Sequence, residues 1–320
     1  MNMKQKLLIF ANKSFVYRYL AYRIHKRACL SDPEGEIARS YYASFKKMPN
    51  LKAPRNLIEK TRWMGLHCDM TQWTICADKY RMREYVAERE CSQYLPKLYG
   101  VWESPKDIEW DTLPQQFVIK ANNGCGTVLV VKDKDKHSPQ KIKRMLRQWL
   151  AIPYGYRGYQ PHYLAIRPCI LAEELLKQDD YLNDLSPQSM VDFKVWCFNG
   201  KVESIFVAYN RSEKSLSCDL YDENWNRMLD CVQRNGHYVI HPEKSFPRPS
   251  CLEEMKEVAS KLSKDHPQMR VDFYVVGGKP VLGELTMSTG YGYFTEQYYN
   301  HLGDLTDLSM MHIVDGTPLP

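Results

Sequence analysis

The chain has no CxxC pair among its ten cysteines, which stand apart at positions 29, 68, 76, 91, 125, 169, 197, 218, 231 and 251. Structural zinc sites need closely spaced ligand pairs, so none is expected. Thiols scattered through apolar segments read instead as small hydrophobes of a reducing, cytoplasmic compartment. The phosphate-loop pattern GxxxxGK[ST] is also missing, which excludes a P-loop nucleotide site. No apolar run is long enough to cross a bilayer, and the N-terminal one, Leu7 to Ala11, is short even for a secretory core. Repeats and low-complexity tracts are lacking. Excess charge is small: 44 basic against 38 acidic residues leave +6, which suits an anionic ligand without arguing for nucleic acid. The nine histidines form no Ser-His or Cys-His set, so chemistry without a protein nucleophile is expected.

What is present suits a globular chain of 320 residues, 44% of them hydrophobic, with room for two or three subdomains. Residues 1–75 read as helical, with breaks at 31–35, Pro49 and Pro54. Within them, residues 3–28 form a basic amphipathic pattern. Leu7, Phe10, Ser14, Tyr17, Ala21 and Ile24 recur at helical spacing, and Lys4, Lys6, Lys13, Arg18, Arg23, Lys26 and Arg27 supply charge. A helix docked on the body of the protein is the preferred expectation; one lying on an anionic membrane surface is the alternative. Residues 77–90 are expected to form one helix with Asp78 as N-cap. Strands follow at 117–120 and 127–131, a helix at 141–150, a strand in 169–176, a hairpin over 191–209 turning at Asn199-Gly200, and a helix at 252–264. That order predicts an α+β fold with antiparallel sheets rather than a doubly wound one.

The most informative stretch is residues 269–286, MRVDFYVVGGKPVLGELT. Asp272 and Glu284 lie in segments that otherwise read as buried strands, where an unpartnered carboxylate is costly. If residues 277–279 form a three-residue loop, Asp272 pairs with Glu284 and Arg270 with Thr286. Those four then share one face, while Val271, Phe273, Val275, Val281, Gly283 and Leu285 form a core face. A two-residue loop would put the acids on opposite faces. Paired oxygen ligands on a rigid hairpin suit Mg²⁺, which takes one or two carboxylates and leaves room for phosphate oxygens. Alone, the pattern also fits an Arg270–acid pairing on a half-solvated sheet.

Several basic residues are candidates for gripping phosphate. Lys120 ends a strand and precedes Asn122, Asn123, Gly124, Cys125 and Gly126, where glycines let backbone N–H groups approach an anion; a plain glycine hairpin fits as well. Lys79 stands in the first turn of the expected helix, where a cation opposes the dipole and an anion would be welcome; a solvated lysine is the other reading. Asp192 and Lys194 share one face of the second hairpin, opposite Val207 and Ile205 if the turn has two residues. They suit a ribose hydroxyl and a phosphate, or simply a cross-strand salt pair.

The order Lys79, Lys120 with its glycine loop, AEELL, DFKV and then RVD…GELT resembles the ATP-grasp superfamily over roughly residues 76–290. It is most similar to the TupA-like ATP-grasp proteins of bacterial polysaccharide clusters, through NLIEKTRWM, ADKYRMREYV, FVIKANNG, DFKVWCFNGKV and VDFYVVGGKPVLGELT. The resemblance implies an ATP-grasp fold of two α+β subdomains, 76–172 and 173–320, after a helical region, 1–75. It implies ATP and Mg²⁺ as cofactors. Lys79 and Lys120 would hold phosphates, with the loop 122–126 as a lid. Glu173, Glu174 and Leu175 would border the adenine, and Asp192 would take the ribose. Arg270 would stabilise the transferring phosphoryl group, and Asp272 and Glu284 would bind metal, with Thr286 where the superfamily often has Asn. Residues 1–75 are too short and helical for the Rossmann-like domain usual in such ligases.

The implied activity is a cytoplasmic carboxylate–amine ligase working through an acylphosphate. It would join a sugar acid or polysaccharide precursor to an amine such as an amino acid, with peripheral contact to the inner membrane surface as a further expectation. The Tyr- and Arg-rich stretches 153–163 and 291–299 suit sugar rings and carboxylates. A sugar kinase, a glycosyltransferase and a membrane-surface scaffold are the rival expectations.

Overall fold

The computed structural model describes residues 14–234 and 236–320. The expected pattern over 3–13 lies outside them. Two compact units emerge: residues 1–49 with 98–175, and residues 50–97 with 176–320.

The first unit is built on a four-stranded antiparallel sheet in the order β1-β4-β2-β3. Its strands are β1 (Leu98–Trp102), β2 (Phe117–Ala121), β3 (Val128–Val131) and β4 (Ile170–Glu173). Alternation along β2 turns Phe117 and Ile119 to one face and Val118 and Lys120 to the other. The first face is closed by the helix Pro139–Leu150, whose Ile142 and Leu146 join Phe117, Ile119, Val131, Ile170 and Ala172 in one cluster. The other face carries Lys120 beside Val128 and Val130, which are exposed. This unit also holds the helices Phe15–Ser31 and Pro33–Phe45. Glu36, buried on the second, accepts from the Gly158 N–H and the Arg39 guanidinium and lies 3.0 Å from His25 Nδ1.

The helix Phe15–Ser31 packs against Pro33–Phe45, and its outward side carries apolar residues. Val16, Leu20, Ile24 and Leu30 are each more than half exposed. Only Cys29 of this helix is buried.

The second unit carries a six-stranded sheet in the order β10-β9-β5-β6-β7-β8. Its strands are β5 (Asp192–Phe198), β6 (Lys201–Tyr209), β7 (Leu216–Asp222), β8 (Tyr238–Val239), β9 (Met269–Val276) and β10 (Lys279–Thr286). All neighbours are antiparallel except β7 and β8. Phe193, Val195, Cys197, Val271, Phe273, Val275 and Leu285 alternate onto one face. That face packs with Met255, Val258, Ala259 and Leu262 of the helix Leu252–Ser263. The opposite face is the polar one, and it holds the site.

Helices Leu57–His67 and Glu296–Asp304 flank this sheet in sequence and pack together. The first starts in a capping box of Asn56 and Glu59, which satisfies two otherwise orphaned N–H groups. Gly303 lets the second approach: a Cβ there would stand 2.0 Å from Arg55 O.

Candidate active site

The metal-candidate hairpin forms by a different route from the one expected. Its loop has two residues, Gly277 and Gly278, with φ of 59° and 71°. Both angles suit the tight turn that matches strand twist. The Asp179 carboxylate receives both glycine N–H groups, at 2.5 and 3.0 Å. A two-residue loop alone would have sent the acids to opposite faces. The register, however, steps by one between Leu282 and Glu284, so Gly283 is an inserted bulge residue. Asp272 therefore faces Glu284, and Arg270 faces Thr286, after all. The two-residue loop corrects the expected core face: Pro280 and Leu282 are buried there, in place of Val281 and Gly283. Gly283 has little room for a side chain, since a Cβ would meet Tyr274 Cε2 at 3.0 Å and Asp272 O at 3.3 Å.

The second hairpin behaves alike. Asn199 and Gly200 make the two-residue turn, and a step at Glu203 shifts the pairing. Lys194 consequently lies opposite Phe206 and Asp192 opposite Ala208, one residue beyond the expected Ile205 and Val207. On its other edge β5 pairs with β9, which sets Lys194 across from Asp272 and Trp196 across from Arg270.

Seven sequence-predicted residues meet on this face. Lys194 Nζ lies 2.5 Å from both Asp192 Oδ2 and Asp272 Oδ2. The Arg270 guanidinium donates to both Asp272 oxygens, at 2.6 and 2.7 Å, to Glu284 Oε1 at 3.2 Å and to Thr286 Oγ1 at 3.0 Å. Its carbon sits 5.3 Å from the centre of the Trp196 ring. Lys79 Nζ stands 3.5 Å from Glu284 Oε2. Lys79 is not in a helical first turn: the expected 77–90 helix is two helices, Thr71–Ala77 and Met82–Glu88, split by a turn over 78–81. Asp78 makes that turn by accepting the N–H groups of Tyr80 and Arg81, an arrangement that competes with helix continuation.

Charge on this face is balanced internally. Burial acts against the Lys194 ammonium, but Asp192 and Asp272 outweigh it and hold its pKa above the usual lysine value. Arg270 is likewise held up, burial being outweighed by Asp272. Burial raises the pKa of the Asp272 carboxyl, and Arg270 and Lys194 work in the opposite direction; with two cations at hydrogen-bond distance it stands as the anion of the network. The donor set fits a hard divalent cation: two carboxylates and a hydroxyl on adjacent strands, with 36% of the Glu284 side chain exposed. Among the described residues no group of three or more His, Cys, Asp and Glu gathers, so phosphate oxygens would have to complete the shell.

The remaining candidates belong to the first unit. Lys120 Nζ lies 2.5 Å from Glu173 Oε2, both side chains largely buried. Glu174 and Leu175 follow β4 in irregular, half-buried chain. Asn122 is buried at the root of the glycine loop, its amide receiving the Cys169 N–H and donating to Arg167 O. Gly124 needs to be glycine on two counts: φ is 93°, and a Cβ would meet Tyr154 at 2.5 Å. Gly126 also has positive φ, 76°.

The model of the TupA-like ATP-grasp family matches residues 59–306. The chain belongs to the TupA-like ATP-grasp family. Its two units, one with an antiparallel sheet and one with a mostly antiparallel sheet, each backed by a helix, are the ATP-grasp fold. No curated protein matches it. Among solved structures it is similar to D-alanine–D-alanine ligase from Bacillus anthracis, at 16% identity over 75% of this chain and 68% of that one, TM-score 0.43. It is also similar to L-amino acid ligase from Bacillus licheniformis, at 15% identity over 85% and 55%, TM-score 0.40. A third is D-cycloserine synthetase, at 13% identity over 74% and 71%, TM-score 0.42. These likenesses are too distant to bear on the substrates of this TupA-like chain.

One buried cation escaped sequence reasoning. Arg62, on the helix Leu57–His67, is 4% exposed. On a helix a lone arginine reads as solvated surface, and its partners, Ser288 and Tyr291, lie more than two hundred residues away.

Proposed function

We propose that this TupA-like protein is an ATP- and Mg²⁺-dependent carboxylate–amine ligase that acts on a sugar acid or polysaccharide precursor. The observation that carries the reading is the network of Lys79, Asp192, Lys194, Arg270, Asp272, Glu284 and Thr286 on the polar face of the large sheet. Its cations and acids alternate over adjacent strands, as a polyanion with its counter-cation requires. Lys120 beside exposed Val128 and Val130 supports a second contact, a charge next to an apolar surface for a base. Glu173 pairs with Lys120, Glu174 and Leu175 follow it in the chain, and Asn122, Gly124 and Gly126 shape the loop after Lys120.

In the proposed reaction a substrate carboxylate oxygen attacks the γ-phosphorus. The bond to the β,γ-bridging oxygen breaks, and ADP leaves with the electron pair. The amine then adds to the acyl carbon, phosphate departs with its bonding pair, and the amine proton passes to solvent. Arg270 faces the charge on the transferring group, Lys79 and Lys194 neutralise phosphate oxygens, and Asp192 orients the ribose. Asp272, Glu284 and Thr286 would hold Mg²⁺, which would supply charge neutralisation for the phosphates. The choice of a sugar acid rests on the family alone. A cytoplasmic setting is supported by ten free cysteines.

Peripheral contact with an anionic membrane belongs to the same reading. The helix Phe15–Ser31 presents Val16, Leu20, Ile24 and Leu30 to solvent, contains no acidic residue, and carries Arg18, Arg23, Lys26 and Arg27. No described helix is long and apolar enough to cross a membrane.

The test is ATP turnover with Mg²⁺ over uronic acids paired with amino acids. Asp272→Asn and Lys120→Ala are expected to lower turnover by about 100-fold or more. Turnover at the wild-type rate in both variants would falsify the site. A phosphorylated sugar without amide would identify a kinase instead.

A further inference from the structure

Three cationic side chains in the second unit are buried: Arg62, Lys194 and Arg270. Lys194 and Arg270 are each ion-paired with Asp272. Arg62 has only neutral company. Its Nη1 donates to Ser288 Oγ at 2.8 Å, its Nε donates to Tyr291 OH at 3.3 Å, and its carbon lies 5.4 Å from the Tyr291 ring centre. No described carboxylate pairs with it. The one acid of its own helix, Glu59, is turned to the backbone N–H groups of Asn50, Arg55 and Asn56. Nη2 serves neither hydroxyl. A guanidinium withdrawn from water without a counter-charge is expensive, and its planar fork matches a carboxylate. Such a group is poised for an anion that arrives from outside.

Its position says what that anion does. Along β10, Leu285 turns into the core and Glu284 and Thr286 share the site face, and Ser288 follows two residues later in the bend after the strand. Thr286 touches Arg270 and Ser288 touches Arg62. Arg62 and Arg270 are therefore anchored on hydroxyls only two positions apart in the chain, Ser288 and Thr286. The N-terminal end of its helix is fixed twice, by the capping box and by the close approach of Gly303 to Arg55 and Asn56.

We propose that Arg62, steadied by Ser288 and Tyr291, binds a carboxylate of the substrate. This rests on the ligase reading for its place in the reaction, but the binding itself needs no nucleotide. The carboxylate belongs either to the sugar acid or to the amino acid, and the two are separable.

Calorimetric titrations without nucleotide use glucuronate and galacturonate in one arm and glycine and L-glutamate in the other. Glucose and glycinamide are the uncharged controls. At least one carboxylate is expected to bind the wild type while its control does not; the arm that binds names the source. Arg62→Met is expected to weaken that binding by at least about tenfold. It should leave ADP affinity unchanged and the thermal midpoint of the free protein equal or higher, because a buried unpaired charge is removed. A merely structural arginine would lower that midpoint. Arg62→Lys, which keeps the charge and loses the fork, is the second variant and should bind with intermediate strength. The proposal is overturned if no carboxylate binds the wild type, or if either variant binds as tightly as the wild type. Failure of the wild type to bind ADP would sink the ligase reading while leaving the carboxylate titrations to stand or fall alone.

Discussion

Replacing Lys194 with methionine is the sharpest probe of the polar face. Methionine keeps most of the length of the side chain and removes its charge. In the native protein that charge is shared between Asp192 Oδ2 and Asp272 Oδ2 at 2.5 Å each. Lys194 itself is almost fully buried, and the Asp272 side chain is only 4% exposed. Removing one member of a buried charged set costs about 3–5 kcal/mol, because the partners are left uncompensated. The lower end applies here: Arg270 still grips Asp272, and the Asp192 side chain keeps 16% of its surface in water. We expect Lys194→Met to lower the stability of the second unit by about 3 kcal/mol. Urea unfolding followed by tryptophan fluorescence measures it, with Trp196 on the same strand as a reporter. Adding Asp192→Asn to Lys194→Met should recover about a third or more of the loss, since a carboxylate without its counter-charge disappears. A single variant within about 1 kcal/mol of wild type, or a double variant less stable than the single, would show that the network is not the coupled unit its distances imply.

Two further outcomes follow from other parts of the chain. His266 is buried against the Tyr85 hydroxyl, 2.9 Å from Nε2, and burial followed by Arg89 pushes its pKa down to about 4 from 6.5. A depressed histidine contributes stability that is complete above pH 6.5 and is lost as pH falls toward 4. Between pH 7 and 5 the wild type should lose about 2 kcal/mol through this group, a component absent in His266→Gln; parallel unfolding curves for the two proteins at both pH values would contradict it. The basic helix predicts co-sedimentation with vesicles containing phosphatidylglycerol and less with neutral ones, weakening as salt rises. Leu20→Glu with Ile24→Glu should reduce that binding at least about tenfold, since each buried aliphatic side chain is worth about 1.5–3 kcal/mol. Equal sedimentation of both proteins would remove the membrane contact.

Much of this was legible in the residues because strands announce themselves through alternation. Asn199-Gly200 and Gly277-Gly278 marked both hairpins, and the sidedness of Asp192, Lys194, Arg270 and Asp272 followed from a period of two. Bulges were not legible, because one surplus residue changes neither hydropathy nor turn chemistry; Gly283 was the only hint, and it read as core. The break at 78–81 was hidden because Asp78 suits a helix start and a turn equally. Strand β7 was masked by its own polarity: Asp219 is fully buried there, held by Arg227 and the Phe246 N–H. Arg62 was beyond reach, since its meaning depends on a loop far along the chain.

The surplus glycine at position 283 makes the second half of the hairpin a matter of parity. Counting from the turn, Glu284 would fall among the aliphatic side chains if every residue took its regular place. The irregularity restores it to the wet side, at the level of Asp272. A change of length by one between positions 273 and 284 would therefore swing the carboxylate inward and turn Leu285 outward, whereas a change by two would leave both where they are. Loss of Gly283 itself is the exception, because it would merely straighten the strand and leave the same acids face to face.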